Sequence, residues 1–367
     1  MDEGRFEIDS YYNNTGDRAF FNGHYYSDKA PGLSFLGLPI YGFTKIFFTP
    51  FLEVNSKPHY VRTNSVPGVF ENENPSPIIL LSMIFLILFT SSLFTSFTAI
   101  LLYRISNFFT KNESHKVLVV VTYALGTLAF HNALVFMEHA SATFFSFLGF
   151  YLLFKVRHKN KSDLYVFLSG LFLGFSVVVS IPTGIILIAC IILVLSLRRK
   201  KSLTLFLGGS TLGVLPLFLY NFLIFGSPLE LAYFHMDHSI WNIENIKPVC
   251  ETIQCHLIIA MRLLFYPYRG LFYYYPILFL SIPGFYYMYK NHKEYKLETF
   301  LMIFIFVSFT SFFSFTPLIC WGGATFGPRH LLPIVPFLII GLLSLIESKK
   351  VNLKIITVLV IISIFVN

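Results

Sequence analysis

The sequence predicts an all-α polytopic membrane protein of about ten transmembrane helices, with an outer-face loop region that carries an interfacial helix. Three observations predict it. Hydrophobic residues make up 55% of the 367 and charged residues only 13%, with a mean hydropathy of +0.67, which leaves too little polar surface to solvate a water-soluble chain of this length. Apolar runs near 78–103, 117–136, 140–154, 164–180, 184–197, 203–225, 271–289, 299–319, 331–346 and 353–366 approach the roughly 20 residues that cross a hydrocarbon layer of about 30 Å. When each run is one crossing, 17 of the 27 basic residues fall on a single side, in the short loops 104–116, 155–161, 198–201, 290–296 and 349–354. Basic loops stay in the cytoplasm, so that side is expected to be cytoplasmic.

Taken in order, the chain opens with residues 1–76, an outer-face first loop. Its apolar stretch 33–51 contains Lys45, and a crossing there would break the alternation at every later loop. It is therefore expected to lie in the outer interface, with the Lys45 ammonium reaching for water, the alternative being a short, tilted span. Residues 77–366 form the transmembrane domain, with outer loops at 226–270 and 316–330. Gly170 with Gly174, and Gly209 with Gly213, are small-xxx-small pairs that allow close helix approach. Charged residues are nearly absent from the middle of the runs, which argues against a pump or voltage sensor.

The +8 formal charge does not indicate nucleic acid, because the basic residues sit in short loops as orientation signals. The four cysteines, Cys190, Cys250, Cys255 and Cys320, have no zinc-site spacing. Cys250 and Cys255 are either a local disulfide in an outer loop or two free thiols. No motif demands a metal or cofactor, and a divalent metal stays open. Asn13-Asn14-Thr15 fits a glycosylation acceptor, a tripeptide that is frequent by chance.

Polar chemistry collects on the outer face. Gly23-His24-Tyr25-Tyr26-Ser27-Asp28-Lys29-Ala30-Pro31-Gly32 combines an imidazole, two phenols, a carboxylate and an ammonium ahead of a turn. Asp28 is a candidate proton acceptor, and Lys29 a candidate point-charge contact for phosphate. Glu3, Glu7 and Asp17 read as solvated loop charges. Tyr268-Arg269-Gly270 places a guanidinium at the lip of a span, either as a headgroup anchor or as a phosphate fork. Trp321-Gly322-Gly323 with Gly327-Pro328-Arg329-His330 is a tight loop that offers backbone N–H groups, a guanidinium and an imidazole. Glu138-His139 is a weaker pair whose spacing alone makes no metal site.

These motifs, together with Phe225-Gly226-Ser227-Pro228, resemble in order those of prokaryotic GT-C membrane glycosyltransferases. The resemblance is to the family 39-like group, related to protein O-mannosyltransferases and to aminoarabinose transferases of lipid A. It implies transfer of a sugar, with inversion, from a polyprenyl-phosphate donor to an acceptor hydroxyl at the outer face of the plasma membrane. It also implies that Lys29, where Ala30 stands in place of the first Pro of the relatives' motif, contacts the donor phosphate. His24, Tyr26, Tyr268, Arg269, Trp321, Arg329 and His330 then surround the substrate, with Arg269 or Arg329 helping to hold the departing phosphate. Relatives carry their main acid at the end of a first membrane helix that this sequence does not contain. The chain is therefore expected to be an N-terminally truncated member, with Asp2-Glu3 only imitating the family's acidic pair. The expected partners are the lipid-linked donor and membrane lipid, with the acceptor left open. A reading from another class is a non-catalytic carrier or flippase of lipid-linked saccharides that uses the same phosphate-gripping residues.

Overall fold

The structure, a computed structural model, describes residues 4–52, 60–62, 70–72, 77–159, 162–237, 252–315 and 327–367. Trp321, Cys250 and Cys320 lie outside the described residues. The chain divides into two compact units, Met1–Phe89 with Val214–Lys247, and Thr90–Gly213 with Pro248–Asn367. Compactness thus groups the start of one long apolar helix and the end of another with the first loop, whereas hydropathy groups them with the other spans.

In the first unit, strands β1 (Arg18–Phe21) and β2 (His24–Ser27) form an antiparallel hairpin in which Arg18 faces Ser27 and Phe21 faces His24. Its two-residue turn is Asn22-Gly23, with φ of 48° and 86°. Both central residues of a primed turn need positive φ, and Asn-Gly meets that need at little cost. A second hairpin pairs β3 (Tyr60–Arg62) with β4 (Phe70–Asn72). Between the hairpins, α1 (Gly32–Phe48) occupies the stretch expected to be an interfacial helix. It packs on α2 (Pro77–Ile87) through Phe43 and Phe48, whose rings meet Phe85. The apolar side chains of Ile46, Phe47 and Phe51 remain exposed.

The second unit holds α3 (Leu93–Ser106), α4 (Glu113–Leu125), α5 (Leu128–Ala133), α6 (Glu138–Lys159), α7 (Asp163–Val179) and α8 (Gly184–Ser196). A π-helical turn at Leu88–Ser92 joins α2 to α3 in one helix, Pro77–Ser106. Helix α9 (Lys200–Phe225) contributes to both units. The chain continues with α10 (Ile253–Phe265), α11 (Leu271–Tyr274), α12 (Ser281–Asn291), α13 (Lys296–Phe315), α14 (Val335–Ser348) and α15 (Leu353–Val366).

Helix α6 and the helical stretch Arg329–Ser348 are the most buried of the long apolar helices. Their contact is aromatic: Phe337 stands edge-on to Phe147 and Phe150, with centroids 5.4 and 5.0 Å away. Helices α7 and α9 interlock through both glycine pairs at once. A Cβ on Gly170 or Gly174 would lie 2.2 or 2.3 Å from a carbonyl oxygen of α9, and one on Gly209 or Gly213 would lie 2.2 Å from a carbonyl oxygen of α7. The small-xxx-small pairs read from the sequence are therefore the two halves of one contact.

Among the described residues, five helices are long and apolar enough to cross a membrane: Pro77–Ser106, Glu138–Lys159, Lys200–Phe225, Lys293–Phe315 and Arg329–Ser348. This is consistent with an all-α membrane protein, although the first loop also carries two β-hairpins. Shorter apolar helices are Asp163–Val179, Ile181–Ser196, Ile253–Phe265 and Leu353–Val366.

Two expected runs are interrupted. The run 117–136 breaks at Gly126-Thr127, where the Thr127 hydroxyl takes the Ala129 N–H and begins α5. The run 271–289 breaks at Tyr275, which is pushed out of the helical region by the ring of Pro276. The loop 226–270, in turn, contains α10, whose apolar residues hid in a segment assigned to the outside by parity.

Candidate functional site

The sequence-predicted residues fall in both units, and each unit assembles its own cluster. In the first unit the hairpin is the platform. Arg18 anchors it: Nε and Nη2 lie 2.9 and 2.8 Å from Asp237 Oδ2, Nη1 donates to the Tyr12 carbonyl, and the guanidinium sits 4.9 Å from the ring centroids of Tyr12 and Tyr25. Beside it, the Asp237 N–H donates to the Arg18 carbonyl and Met236 bridges to Ala19. Segment 236–237 thereby extends the sheet edge.

His24 shares a hydrogen bond of 2.7 Å between Nδ1 and Asp9 Oδ2, and the Tyr25 N–H donates to Asp9 Oδ1 at 2.7 Å. These bonds, the one to His24 first, hold the Asp9 carboxyl below the ordinary carboxylate range. Tyr26, expected to contact substrate, is only 6% exposed and turns its ring toward Phe225. As a correction, it is a wall of the fold, because the alternation of β2 sends it to the packed face of the hairpin.

At the open end of the hairpin, Lys29 Nζ lies 3.2 Å from Asp28 Oδ2 and 3.2 Å from Asp17 Oδ1. The Asp28 side chain is 0% exposed, against 43% for Lys29 and 55% for Asp17. Asp28 is thus the buried ion partner of the ammonium, and its expected part as a proton acceptor gives way to that of an anchor. Asp17, read from the sequence as a solvated charge, is instead a second partner. The cause is register: Arg18 faces Ser27, so the next position outward in each strand carries an aspartate. Carboxylates set opposite each other repel, and a cation between them relieves it. Tyr233 completes the group. Burial, then the Asp28 charge, push its phenol up against the opposing effect of Lys29.

In the second unit, Glu138 and His139 begin α6, with His139 Nε2 3.7 Å from Glu138 Oε1. The His330 ring stands edge-on to His139 at 5.0 Å and stacks on Phe313 at 5.0 Å. Arg329 places Nη1 3.4 Å from Met137 Sδ. The structure thus joins two pairs that lie far apart in sequence, Glu138-His139 and Arg329-His330. Two residues before Arg329, Gly327 takes a φ of +69°, which favours glycine.

Arg269 is 5% exposed, stacks 4.4 Å above the Tyr268 ring and donates to its hydroxyl. It is held by a tight turn in which a Cβ on Gly270 would meet the Tyr266 N at 2.5 Å. Of the two sequence readings, a headgroup anchor splayed into the interface fits poorly with this burial. Arg269 Nη1 and Arg329 Nε are both buried without a hydrogen-bond partner among the described residues. A buried guanidinium nitrogen left unbonded is costly, and an anionic oxygen would satisfy it.

No family model, curated protein or solved structure matches the chain.

Chemically, the first cluster can grip an anion weakly and hydrogen-bond hydroxyl groups, and the second can bind an anion beside a carboxylate–imidazole pair. No group of three or more His, Cys, Asp or Glu side chains able to hold a metal occurs among the described residues. Sequence reasoning places Asp9 and Asp17 in a carboxylate-rich loop facing His24 and Lys29 but reads Asp17 as a solvated charge, and it does not single out Arg18, Tyr233 or Asp237. The signal that leads to Asp17 and Arg18 was present in Asn22-Gly23 between two short aromatic runs, which fixes the hairpin and its register.

Proposed function

We propose that this chain is a membrane glycosyltransferase of GT-C type, moving a sugar from a polyprenyl-phosphate-linked donor to an acceptor hydroxyl at the outer face of the plasma membrane. The observation that carries this reading is Lys29: a partly exposed ammonium, pinned by the buried Asp28, at the foot of the apolar helix α1. A lipid phosphate lying at the surface of the bilayer needs a cation at this kind of boundary. In the reaction the acceptor oxygen bonds to the anomeric carbon as the bond from that carbon to the phosphate oxygen breaks. The bonding pair leaves with the lipid phosphate, the hydroxyl proton passes to a carboxylate, and attack from the face opposite the phosphate yields inversion.

Lys29 stabilises the charge that grows on the departing phosphate. Arg269 and Arg329, each with a buried nitrogen lacking a described partner, support the reading as further anion contacts. The basic loops would then face the cytoplasm.

The test is transfer from a polyprenyl-phosphate sugar by the full-length protein in lipid nanodiscs. Lys29→Ala is expected to lower the rate at least about a hundredfold, as loss of a charge-stabilising donor does. Undiminished transfer by Lys29→Ala would refute the assignment. Movement of the lipid-linked sugar across the bilayer without any transfer would establish the carrier reading instead.

A further inference from the structure

The hairpin register brings two carboxylates to one ammonium. Of these three side chains Lys29 contributes one positive charge and Asp17 and Asp28 two negative ones, so the trio as built is net negative. Such an arrangement is poorly suited to a ligand of high negative charge, yet it presents an ammonium that can still donate. The two carboxylates also differ. Asp28 is wholly buried and stays with Lys29 as its fixed partner, whereas Asp17 is 55% exposed and enters from the other strand.

The chemistry of a lipid-linked sugar makes this difference consequential. The donor's phosphate is a diester with one negative charge. Once the sugar leaves, the lipid phosphate is a monoester that carries about −1.5 to −2 near pH 7, with a second ionisation near pH 6. Any phosphate oxygen that accepts from Lys29 Nζ lies within about 6 Å of a carboxylate oxygen of each aspartate, because Nζ is 3.2 Å from both. At that range in a wet site, each added ligand charge meets a repulsion that changes affinity several-fold.

We infer that Asp17 is a specificity-determining residue, which makes the Lys29 site favour a lipid-linked phosphodiester over the corresponding phosphomonoester. The inference rests on Lys29 being the phosphate contact, as proposed above. In the reaction cycle Asp17 would admit the donor and help to expel the spent carrier lipid, a step that sets the turnover of many enzymes. Among the described residues, the titratable groups shown to meet Lys29 or Asp28 are Asp17 and Tyr233.

The experiment measures binding of farnesyl phosphate and of its methyl diester to the full-length protein in detergent, at pH 7.5 and low salt. The wild-type protein is expected to bind the diester more tightly, and Asp17→Asn to shrink that preference about fivefold, mainly through tighter binding of the monoester. Salt at about 0.5 M should shrink it as well. A second measurement needs no variant: at pH 5.5 the monoester sheds much of its second charge, and the wild-type preference should narrow. A ratio unchanged by Asp17→Asn, whatever acid does to it, or a wild-type preference for the monoester, would overturn the inference. If Lys29→Ala binds both probes as tightly as wild type, or wild type binds neither, the phosphate assignment of Lys29 fails and takes this inference with it.

Discussion

At the scale of single residues, the first loop works by holding short side chains still. Asp9 is the simplest case, since one carboxylate oxygen takes a backbone N–H and the other an imidazole nitrogen. Its folded pKa lies below the unfolded one, so the stability it lends is present above the ordinary carboxylate range and is lost as pH falls through the lowered value. Protection of the Tyr25 amide, its exchange rate set against the intrinsic rate at the same pH, should accordingly weaken as pH falls below the ordinary carboxylate range, and Asp9→Asn should show weaker protection already at neutral pH. Equal exchange in the variant and the parent at neutral pH would remove Asp9 from this part. The site was legible in the sequence only in part. Asp28 and Lys29 were found because they are adjacent and flanked by aromatic residues. Asp17 was not, because its partnership depends on pairing across a turn, which no local composition displays. Tyr26 was misplaced for a related reason: its neighbours are polar, but strand alternation and not neighbourhood decides which face it takes.

Among elements, the contact of α7 with α9 is the most demanding, because carbonyl oxygens fill the space where side chains would begin. Gly209→Val or Gly213→Val should force the helices apart, at a cost of about 3 kcal/mol or more. Gly208, one residue away, has nothing within 4 Å of its would-be Cβ. Gly208→Ala should be neutral or stabilise by about 0.5–1 kcal/mol, since it removes a flexible residue from a helix interior. Thermal unfolding in detergent separates the two, and similar effects at 208 and 209 would contradict the packing. Long apolar runs such as 78–103, 140–154, 203–225 and 331–346 announced their helices, because the need to satisfy backbone groups leaves an apolar run little alternative. What hydropathy could not show were the interruptions. Thr127 and Pro276 act through one hydroxyl and one ring, and neither changes the mean hydropathy of its run. Helix α10 escaped for the opposite reason, being short, amphipathic and crossed by Arg262.

On the scale of the whole molecule, the second unit is tied by ion pairs at helix ends rich in basic residues. Glu298 in α13 is fully buried and meets Arg157 Nε at 2.9 Å and His158 Nε2 at 2.7 Å, both on α6. His115 on α4 pairs with Glu347 on α14. Removing one partner of a buried pair leaves the other charge uncompensated. Glu298→Leu should cost about 3–5 kcal/mol, and the double variant with Arg157→Met should recover a good part of it. Additive losses in a double-mutant cycle, read by thermal unfolding, would deny the coupling. The glycine interlock also bears on the order in which the chain is built. Helices α7 and α9 flank a single intervening helix, so their contact closes a short loop of chain and can form while the C-terminal third is still being synthesised. The pairs His158–Glu298 and His115–Glu347 span 140 and 232 residues and must wait for α13 and α14 to emerge. A nascent chain would therefore hold His158 and His115 without their glutamates until 140 and 232 further residues have been added, and a ribosome stalled between α9 and α13 should yield a species whose glycine contact is closed while its ionic ties stay open.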